Sequence, residues 1–212
     1  RIFTALIDAA DEIHDIDTVS HANGIEVRMR VSNRAFEALK ARRRSLAGRT
    51  GCGLCGVDSL GQVAREVARV SARPLIDGRA IHRAFAALSE GQALHALTGS
   101  VHAAGWATSD GTLLAVREDV GRHNALDKLI GAIVRAGIDP AQGFAVVTSR
   151  ASYEMVLKLA SVGGGLLAAI SAPTGLAIDL AARTGVTLCG FVRDGRMAIY
   201  TESRASNPTR TE

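Results

Sequence analysis

Residues 144–192, FAVVTSRASYEMVLKLASVGGGLLAAISAPTGLAIDLAARTGVTLCGFV, decide the fold class of this chain. The stretch alternates between short apolar runs and segments with helical periodicity, at 144–148, 152–161, 166–171, 176–183 and 186–192. Apolar strands that alternate with helices through short turns are typical of layered α/β domains with parallel strands. We therefore predict an α/β fold with a mostly parallel sheet.

The alternation extends on both sides of this stretch. Upstream, the pattern predicts a helix, two hairpin strands and a second helix, at 77–97, 101–108, 112–117 and 121–136. Downstream, the turn Asp194-Gly195 leads into a last strand at 197–201. We therefore predict one α/β core domain at 77–201, followed by a polar tail at 202–212.

The first 76 residues have a different pattern. They predict a helix, two strands broken at Asn23-Gly24, and a second helix capped by Asn33, at 3–13, 18–31 and 33–46. Residues 1–50 are thus expected to form a small N-terminal α+β module. Because the chain does not begin with Met, we expect this module to be truncated. Residues 51–76 are interpreted as a Gly-rich cysteine loop and linker.

Composition excludes several classes of protein. The 22% of charged residues argues against disorder, and no apolar run reaches the length of a membrane span. Aromatic residues make up only 4% of the chain and no zinc-finger spacing occurs, so nucleic acid is not an expected partner. Basic residues are almost all Arg, which binds phosphate and carboxylate in a bidentate manner and so favours an anionic ligand. Three cysteines do not make a secreted disulfide framework, and a cytoplasmic location is expected.

The Gly-rich motif Gly51–Gly56 (GCGLCG) carries two thiols, Cys52 and Cys55. Zinc binding, a thiol–disulfide pair and a sulfur relay could each use Cys-x-x-Cys. The remaining cysteine, Cys189, lies in an apolar run and is expected to be buried and inert, and the histidines are scattered, so we expect no metal site. Nearby arginines at 42–44 and 49 favour thiolates on an approachable loop. The motif therefore favours sulfur transfer.

A second motif, residues 117–128 (REDVGRHNALDK), follows a strand and opens a helix. Backbone N–H groups at such a position attract anions, and the motif adds polar side chains, which we take as ligand contacts: Asp119, Arg122, His123, Asn124 and Lys128. Asp119 could equally be a helix cap. The helical spacing predicts surface pairs of His123 with Asp127 and of Asn124 with Lys128.

Further candidate contacts follow other strands. Ser149 and Arg150 come after the strand at 144–148, with Glu154 and Lys158 one turn apart beyond them, and His102 lies among small residues. A turn near the end of the chain carries two arginines in the segment Phe191, Val192, Arg193, Asp194, Gly195 and Arg196. Ligands of open α/β sheets collect beside the carboxyl ends of strands, so these segments are expected to meet there.

Five collinear motifs together resemble the formate dehydrogenase accessory sulfurtransferase family, the FdhD family: GCGLCG at 51–56, TGSVHAAGW at 98–106, EDVGRHNALDK at 118–128, TSR at 148–150 and SAPTG at 171–175. The resemblance runs from about residue 50 to residue 200, and EDVGRHNALDK is its most specific element. The first fifty residues resemble the family only loosely.

The resemblance implies a cytidine-deaminase-like core, a homodimer and a cytoplasmic sulfur carrier. Such a protein accepts persulfide sulfur from a cysteine desulfurase and passes it to the bis-molybdopterin guanine dinucleotide cofactor of formate dehydrogenase. By position, Cys52 would hold the persulfide and Cys55 would assist. The turn at 191–196 would contact the cofactor, for which GDP is the expected mimic.

Two alternatives remain beside this interpretation. The chain could be a non-catalytic chaperone for the molybdenum cofactor, with a structural metal or a redox pair at its cysteines, or a thiol–disulfide oxidoreductase. Zinc deaminase activity is not expected, because that chemistry uses H-x-E followed by P-C-x-x-C. Here Ala104 stands two positions after His102, and the cysteine pair precedes the histidine.

Overall fold

In the computed structural model the described residues are 10–42, 68–71 and 76–202. The chain divides into two compact units, residues 1–65 and 66–212, and each is described by itself. No helix among the described residues is both long enough and apolar enough to cross a membrane.

The described part of the first unit is a β-hairpin followed by a helix. A short 3-10 turn, Ala10–Glu12, precedes strands β1 (Ile13–His21) and β2 (Gly24–Val31), and helix α1 spans Asn33–Arg42. The strands are antiparallel and pair from Ile13–Val31 to His21–Gly24. The predicted hairpin is confirmed, although its turn lies at residues 22–23 and Gly24 already begins β2. Ile13, expected to end a helix, is in a strand.

The cap of α1 differs from the prediction. The Oγ atom of Ser32 accepts a hydrogen bond from the backbone N–H of Ala35 at 3.2 Å. Ser32 in turn donates to the carboxylate of Glu12 at 2.8 Å. Ser32 therefore precedes and caps the helix, and Asn33 is its first residue, because a cap residue accepts from the N–H of the third helical position.

The second unit contains a six-stranded sheet in the order β4-β3-β5-β6-β7-β8. Its strands are β3 (His102–Thr108), β4 (Leu113–Asp119), β5 (Gly143–Val147), β6 (Leu166–Ala169), β7 (Thr187–Arg193) and β8 (Arg196–Thr201). Its helices are α2 (Gly78–Glu90), α3 (Ala93–Thr98), α4 (Arg122–Arg135), α5 (Tyr153–Ser161) and α6 (Gly175–Thr184), and a 3-10 turn spans Pro140–Gln142. The mixed α/β class is confirmed.

The prediction of a mostly parallel sheet is wrong. Only β5–β6 and β6–β7 are parallel, whereas β3–β4, β3–β5 and β7–β8 are antiparallel. Two of the antiparallel pairs are hairpins, whose tight turns allow no other direction. In the third case, α4 carries the chain from β4 to the far side of β3, so β5 runs in the direction of β4 and opposite to β3.

The helix predicted at 77–97 is broken into α2 and α3 at Gly91 and Gln92. The carboxylate of Glu118 on β4 accepts hydrogen bonds from the backbone N–H groups of Leu94 and His95, at 2.8 and 2.9 Å. These groups are left without helical partners where α3 begins, so Glu118 stabilises a new helix start. Glu118, a residue of the polar motif 117–128, therefore has a structural role.

The core lies on both faces of the sheet. Ile81, Ala84 and Leu88 of α2 pack on one face, against side chains that include Phe144 and Val146. On the other face α4 packs on β3 and β4, and α5 packs against α4 and α6. The alternate strand residues Trp106, Ala145, Val147 and Leu167 are buried there. The result is a sheet with a helix layer on each side.

Candidate functional site

One edge of the sheet collects the predicted ligand contacts of the second unit. The parallel strands β5, β6 and β7 end at this edge. Because β3 is antiparallel to β5, it starts here, and its first residue, His102, pairs with the last residue of β4, Asp119. Arg193 and Arg196, which pair at the turn between β7 and β8, lie at the same edge on the side away from β3. We call residues 102, 119–124, 148–152, 170–175 and 191–196 the carboxyl edge.

Hydrogen bonds join neighbouring loops along the carboxyl edge. Ala103 donates its N–H to the Oγ1 atom of Thr148 at 2.8 Å, and the N–H of Thr148 donates to the carbonyl of Ala103 at 3.0 Å. Two further backbone bonds follow, from Thr174 to Ala151 at 3.0 Å and from Phe191 to Ser171 at 3.3 Å. The loops therefore form one connected rim.

Asp119 organises the turn before α4. Its Oδ1 atom accepts from the N–H of Gly121 at 2.9 Å and from the side-chain amide of Asn124 at 3.2 Å, and Lys128 lies 2.5 Å from Oδ2. The hydrogen bond from Lys128, followed by that from Gly121, lowers the pKa of the Asp119 carboxyl. Gly121, not Asp119, is the residue that precedes the helix. Asp119, Asn124 and Lys128 thus hold one another in place.

His123 is bonded across to α5. Its Nε2 atom lies 3.0 Å from the Oε2 atom of Glu154 and 3.2 Å from the Oγ atom of Ser152. Burial, aided by the charge of Arg122, lowers the pKa of His123 to about 4. Burial also raises the pKa of Glu154. His123 is therefore a neutral imidazole at neutral pH.

A second pair joins the same two helices. Lys158 of α5 is 4% exposed, and its Nζ atom lies 2.6 Å from both carboxylate oxygens of Asp127 of α4. The predicted pairs within helices, His123–Asp127 and Asn124–Lys128, are wrong: each partner is bonded to another element. These bonds prevail because α4 packs beside α5 and follows the end of β4, so charged and polar partners on the neighbouring elements lie within bonding distance.

Arg122, His102 and Arg150 surround this cluster. The Nε atom of Arg122 is buried and has no hydrogen-bond partner among the described residues. Burial and the charge of Arg122 lower the pKa of His102. Arg150 is exposed, and its charge acts on His123. Ser149 is buried, and its hydroxyl donates to the carbonyl of Arg150 at 3.1 Å.

The turn at 191–196 has an unusual backbone. Phe191 and Asp194 have φ values of 53° and 51°, in the left-handed region that residues other than glycine rarely adopt. A bulge in the β7–β8 pairing lies between Gly190 and Arg193 and turns the ring of Phe191 outward, 41% exposed. Backbone strain of this kind clusters at ligand sites.

The same turn borders an open concavity of about 270 Å³, lined by Phe191, Arg193, Arg196, Met197 and Ala198. The guanidinium of Arg193 lies 6.0 Å from the ring centre of Phe191. Val192, by contrast, is 2% exposed and packs in the core, so its side chain faces away from this surface. An aromatic ring beside two arginines suits a flat ligand that carries negative charge.

The described residues include one of the three cysteines, Cys189. Cys189 is 1% exposed, and burial raises the pKa of its thiol to about 11. Its predicted burial is confirmed. Cys52 and Cys55 lie outside the described residues.

Ser152 and Asp127 are not among the ligand contacts that the sequence predicts, whereas Glu154 and Lys158 are expected beside Ser149 and Arg150. The one-turn spacing of 154 and 158 equally allows a surface ion pair within one helix. Sequence separation alone gives no sign that Glu154 and Lys158 each bind a partner about thirty residues away, on α4.

Comparison with known proteins agrees with the motifs. A model of the FdhD/NarQ family matches residues 2–206. The sulfur carrier protein FdhD of Cupriavidus necator is 51% identical over 195 residues, which cover 92% of this chain and 68% of that protein. The sulfur carrier protein FdhD of Bordetella petrii is 49% identical over 195 residues, with 92% and 70% covered.

A solved structure is also similar. It is a crystal structure from Desulfotalea psychrophila whose description names a formate dehydrogenase accessory protein. It matches with a TM-score of 0.67 and 25% sequence identity, over 92% of this chain and 71% of that one.

Proposed function

Because the chain belongs to the FdhD/NarQ family, we propose that it is a sulfur carrier that serves a formate dehydrogenase. The observation that carries this proposal is the identity of about half the residues to sulfur carrier proteins over 92% of the chain. The name of the similar solved structure adds the link to formate dehydrogenase.

The chemistry we propose is a persulfide relay. The thiolate of Cys52 attacks the outer sulfur of a persulfide on a cysteine desulfurase. A new S–S bond forms on Cys52, and the desulfurase thiolate leaves. This step transfers a neutral sulfur atom together with its proton, and it needs no oxidant. Cys55 then either attacks the inner sulfur of Cys52, which releases hydrosulfide and leaves a disulfide, or keeps Cys52 reduced.

Reduced thiols require a reducing compartment, which supports a cytoplasmic location.

The acceptor we propose is the bis-molybdopterin guanine dinucleotide cofactor, bound at the carboxyl edge. Among the described residues the arginines of this edge have no acidic partner and suit its phosphates, and the exposed ring of Phe191 suits a flat base. We further propose a homodimer and a cytidine-deaminase-like relationship for the second unit. Its order of a helix, a hairpin and then helix–strand units supports the latter.

The test of the relay is intact-mass and peptide mass spectrometry after incubation with a cysteine desulfurase and cysteine. We expect one added sulfur on the peptide that contains Cys52 and Cys55, removed by reduction and absent from Cys52→Ala. The matched control is Cys189→Ala, which removes a buried thiol and should still accept sulfur. No added sulfur on the wild-type protein would contradict the relay, and zinc bound to it instead would favour the chaperone alternative.

A further inference from the structure

The β1–β2 hairpin has two faces of opposite character. Side chains alternate along each strand, and residues that pair across the strands point to the same side of the sheet. One face is therefore formed by the cross-strand pairs Ile16–Met29, Thr18–Val27 and Ser20–Ile25. Every side chain in these pairs is uncharged. We call these six residues the apolar hairpin face.

The opposite face carries most of the ionisable residues of the two strands, and they contact one another. The carboxylate of Glu26 lies 2.9 Å from the guanidinium of Arg28 and 2.9 Å from the imidazole of His21. Arg30 lies 3.5 Å from its cross-strand partner Asp15. These side chains are exposed, so water also solvates them. This face is therefore satisfied by its own groups and by solvent.

The apolar hairpin face, by contrast, is open to water. Its four large side chains are about half exposed or more: Ile16 53%, Ile25 71%, Val27 57% and Met29 48%. A two-stranded sheet alone in water is only marginally stable, and an antiparallel sheet commonly packs one face against a core. An exposed apolar patch of this kind is typical of a surface that another molecule covers.

The size of the face indicates which kind of molecule covers it. Four side chains at these exposures present roughly 400 Å² of surface. Stable dimers bury about 800 Å² on each partner, whereas transient complexes bury less than about 1,200 Å² in total. The face is thus about half of what a stable contact with a second copy needs, and it fits a partner that binds and then leaves.

The place of the hairpin in the chain points to the sulfur donor. The unit of residues 1–65 contains the hairpin and also positions 52 and 55. Cys52 follows Arg42, the last residue of α1, by ten residues, so the chain between them spans at most about 36 Å. A protein donor must reach Cys52 for each sulfur and depart afterwards, as a transient partner does.

We propose that the apolar hairpin face docks the cysteine desulfurase that loads Cys52. This inference rests on the proposed function for the identity of the donor. It adds the surface that the donor recognises, an uncharged patch on β1 and β2 that packs against an apolar patch of the desulfurase. The bond changes are those of the relay: the S–S bond to the desulfurase breaks as the S–S bond to Cys52 forms.

The test measures binding and sulfur loading of the purified full chain with a purified cysteine desulfurase. The variant Ile25→Thr/Val27→Thr places hydroxyl groups on the face and keeps β-branched side chains in β2. We expect its affinity for the desulfurase, measured by isothermal titration calorimetry, to fall about tenfold. The desulfurase concentration for half-maximal loading should rise by the same factor, with the maximal rate unchanged. The matched control is Arg28→Thr, on the opposite face of β2, which should leave both values unchanged.

A small-molecule donor separates docking from thiol chemistry. Glutathione persulfide gives its outer sulfur to the thiolate of Cys52, and glutathione leaves as a thiolate. We expect this donor to load the wild-type protein, the double variant and Arg28→Thr at equal rates, because it needs no docking surface. A double variant that also loads more slowly with glutathione persulfide contradicts docking as the cause.

The outcomes separate this inference from the proposed function. Equal affinities of the double variant and the wild-type protein for the desulfurase contradict docking at this face and leave the relay intact. Failure of the wild-type protein to take sulfur from either donor contradicts the relay, whereas a tenfold loss of desulfurase binding in the double variant still supports the docking surface.

Two further measurements identify other molecules that could cover the face. A change in the oligomeric state of the double variant, measured by light scattering, shows that a second copy covers it. A clear fall in the urea midpoint of the double variant relative to Arg28→Thr shows that the chain itself covers it. Either result contradicts the proposal.

Discussion

The Nζ atom of Lys158 lies 2.6 Å from each carboxylate oxygen of Asp127, so a nearly buried lysine of α5 is held by a carboxylate of α4. Removal of the carboxylate takes an opposite charge away from the buried ammonium group, which is more costly than removal of both charges together. This relationship leads to the first prediction.

Asp127→Asn should lower the free energy of unfolding by about 1–2 kcal/mol, between the costs of breaking an exposed and a buried pair, since Lys158 is buried whereas the Asp127 side chain is 37% exposed. The double variant Asp127→Asn/Lys158→Met should recover part of the loss. Lys128→Met breaks an exposed pair and should cost less than about 1 kcal/mol. Urea unfolding of the three variants measures these differences. A double variant less stable than Asp127→Asn would contradict the uncompensated charge as the cause.

His123 should make stability depend on pH. Its pKa is lowered from 6.5 to about 4 in the folded protein, so below pH 6.5 the unfolded chain takes up a proton that the folded chain does not. The contribution of His123 is therefore complete above about pH 6.5 and is lost as the pH falls towards 4.

The comparison for this prediction is His123→Gln, whose amide can still donate to Glu154 but does not titrate. Between pH 7 and pH 5 the wild-type protein should lose more free energy of unfolding than the variant does. Equal losses in urea unfolding at the two pH values would show that His123 is protonated alike in both states.

The role of Cys55 can be assigned with Cys55→Ala. We expect this variant to accept sulfur on Cys52, because the first transfer uses only that thiolate. If Cys55 releases the sulfur, the variant stays loaded and formate dehydrogenase matured with it is inactive. If Cys55 only keeps Cys52 reduced, treatment of the variant with a dithiol that is removed before sulfur loading restores activity. Failure of Cys55→Ala to accept any sulfur would contradict the order of steps proposed here.

Gly111→Ala should destabilise the second unit. Gly111 has a φ of +90°, and an added Cβ would lie within 3 Å of three backbone atoms of Ala80, so the β3–β4 turn would have to move away from α2. We expect a loss of more than about 2 kcal/mol, measured by thermal or urea unfolding. Gly137→Ala is the matched control, since Gly137 also has a positive φ, +64°, but has open space around it. Equal losses in the two variants would show that the contact with Ala80 contributes nothing.

The sequence predicted where the strands and helices of the second unit lie, but not all of their directions. From β3 to β8 the predicted ends agree with the structure within two residues. Local periodicity sets these bounds, whereas the antiparallel pairing of β3 with β5 depends on which side of β3 the chain returns to after α4. No hydrophobic pattern within residues 101–147 indicates on which side of β3 the chain returns.

The candidate site was predicted in the same uneven way. Strand ends carry His102, Asp119, Ser149 and Arg193 to one edge, and this could be inferred because adjacent strand ends meet. The partner of His123 could not be inferred, because helical spacing predicts a pair with Asp127. In the structure α4 packs on α5, and His123 contacts Glu154 instead.

The two bonds between α4 and α5, His123–Glu154 and Asp127–Lys158, lie one helical turn apart along both helices. Two bonded contacts between neighbouring helices restrict the rotation and sliding of one helix relative to the other. The starts of the two helices are thus held at one spacing by side-chain bonds within the unit itself. A ligand that binds beside these helix starts meets side chains already in position, so little free energy is needed to order them.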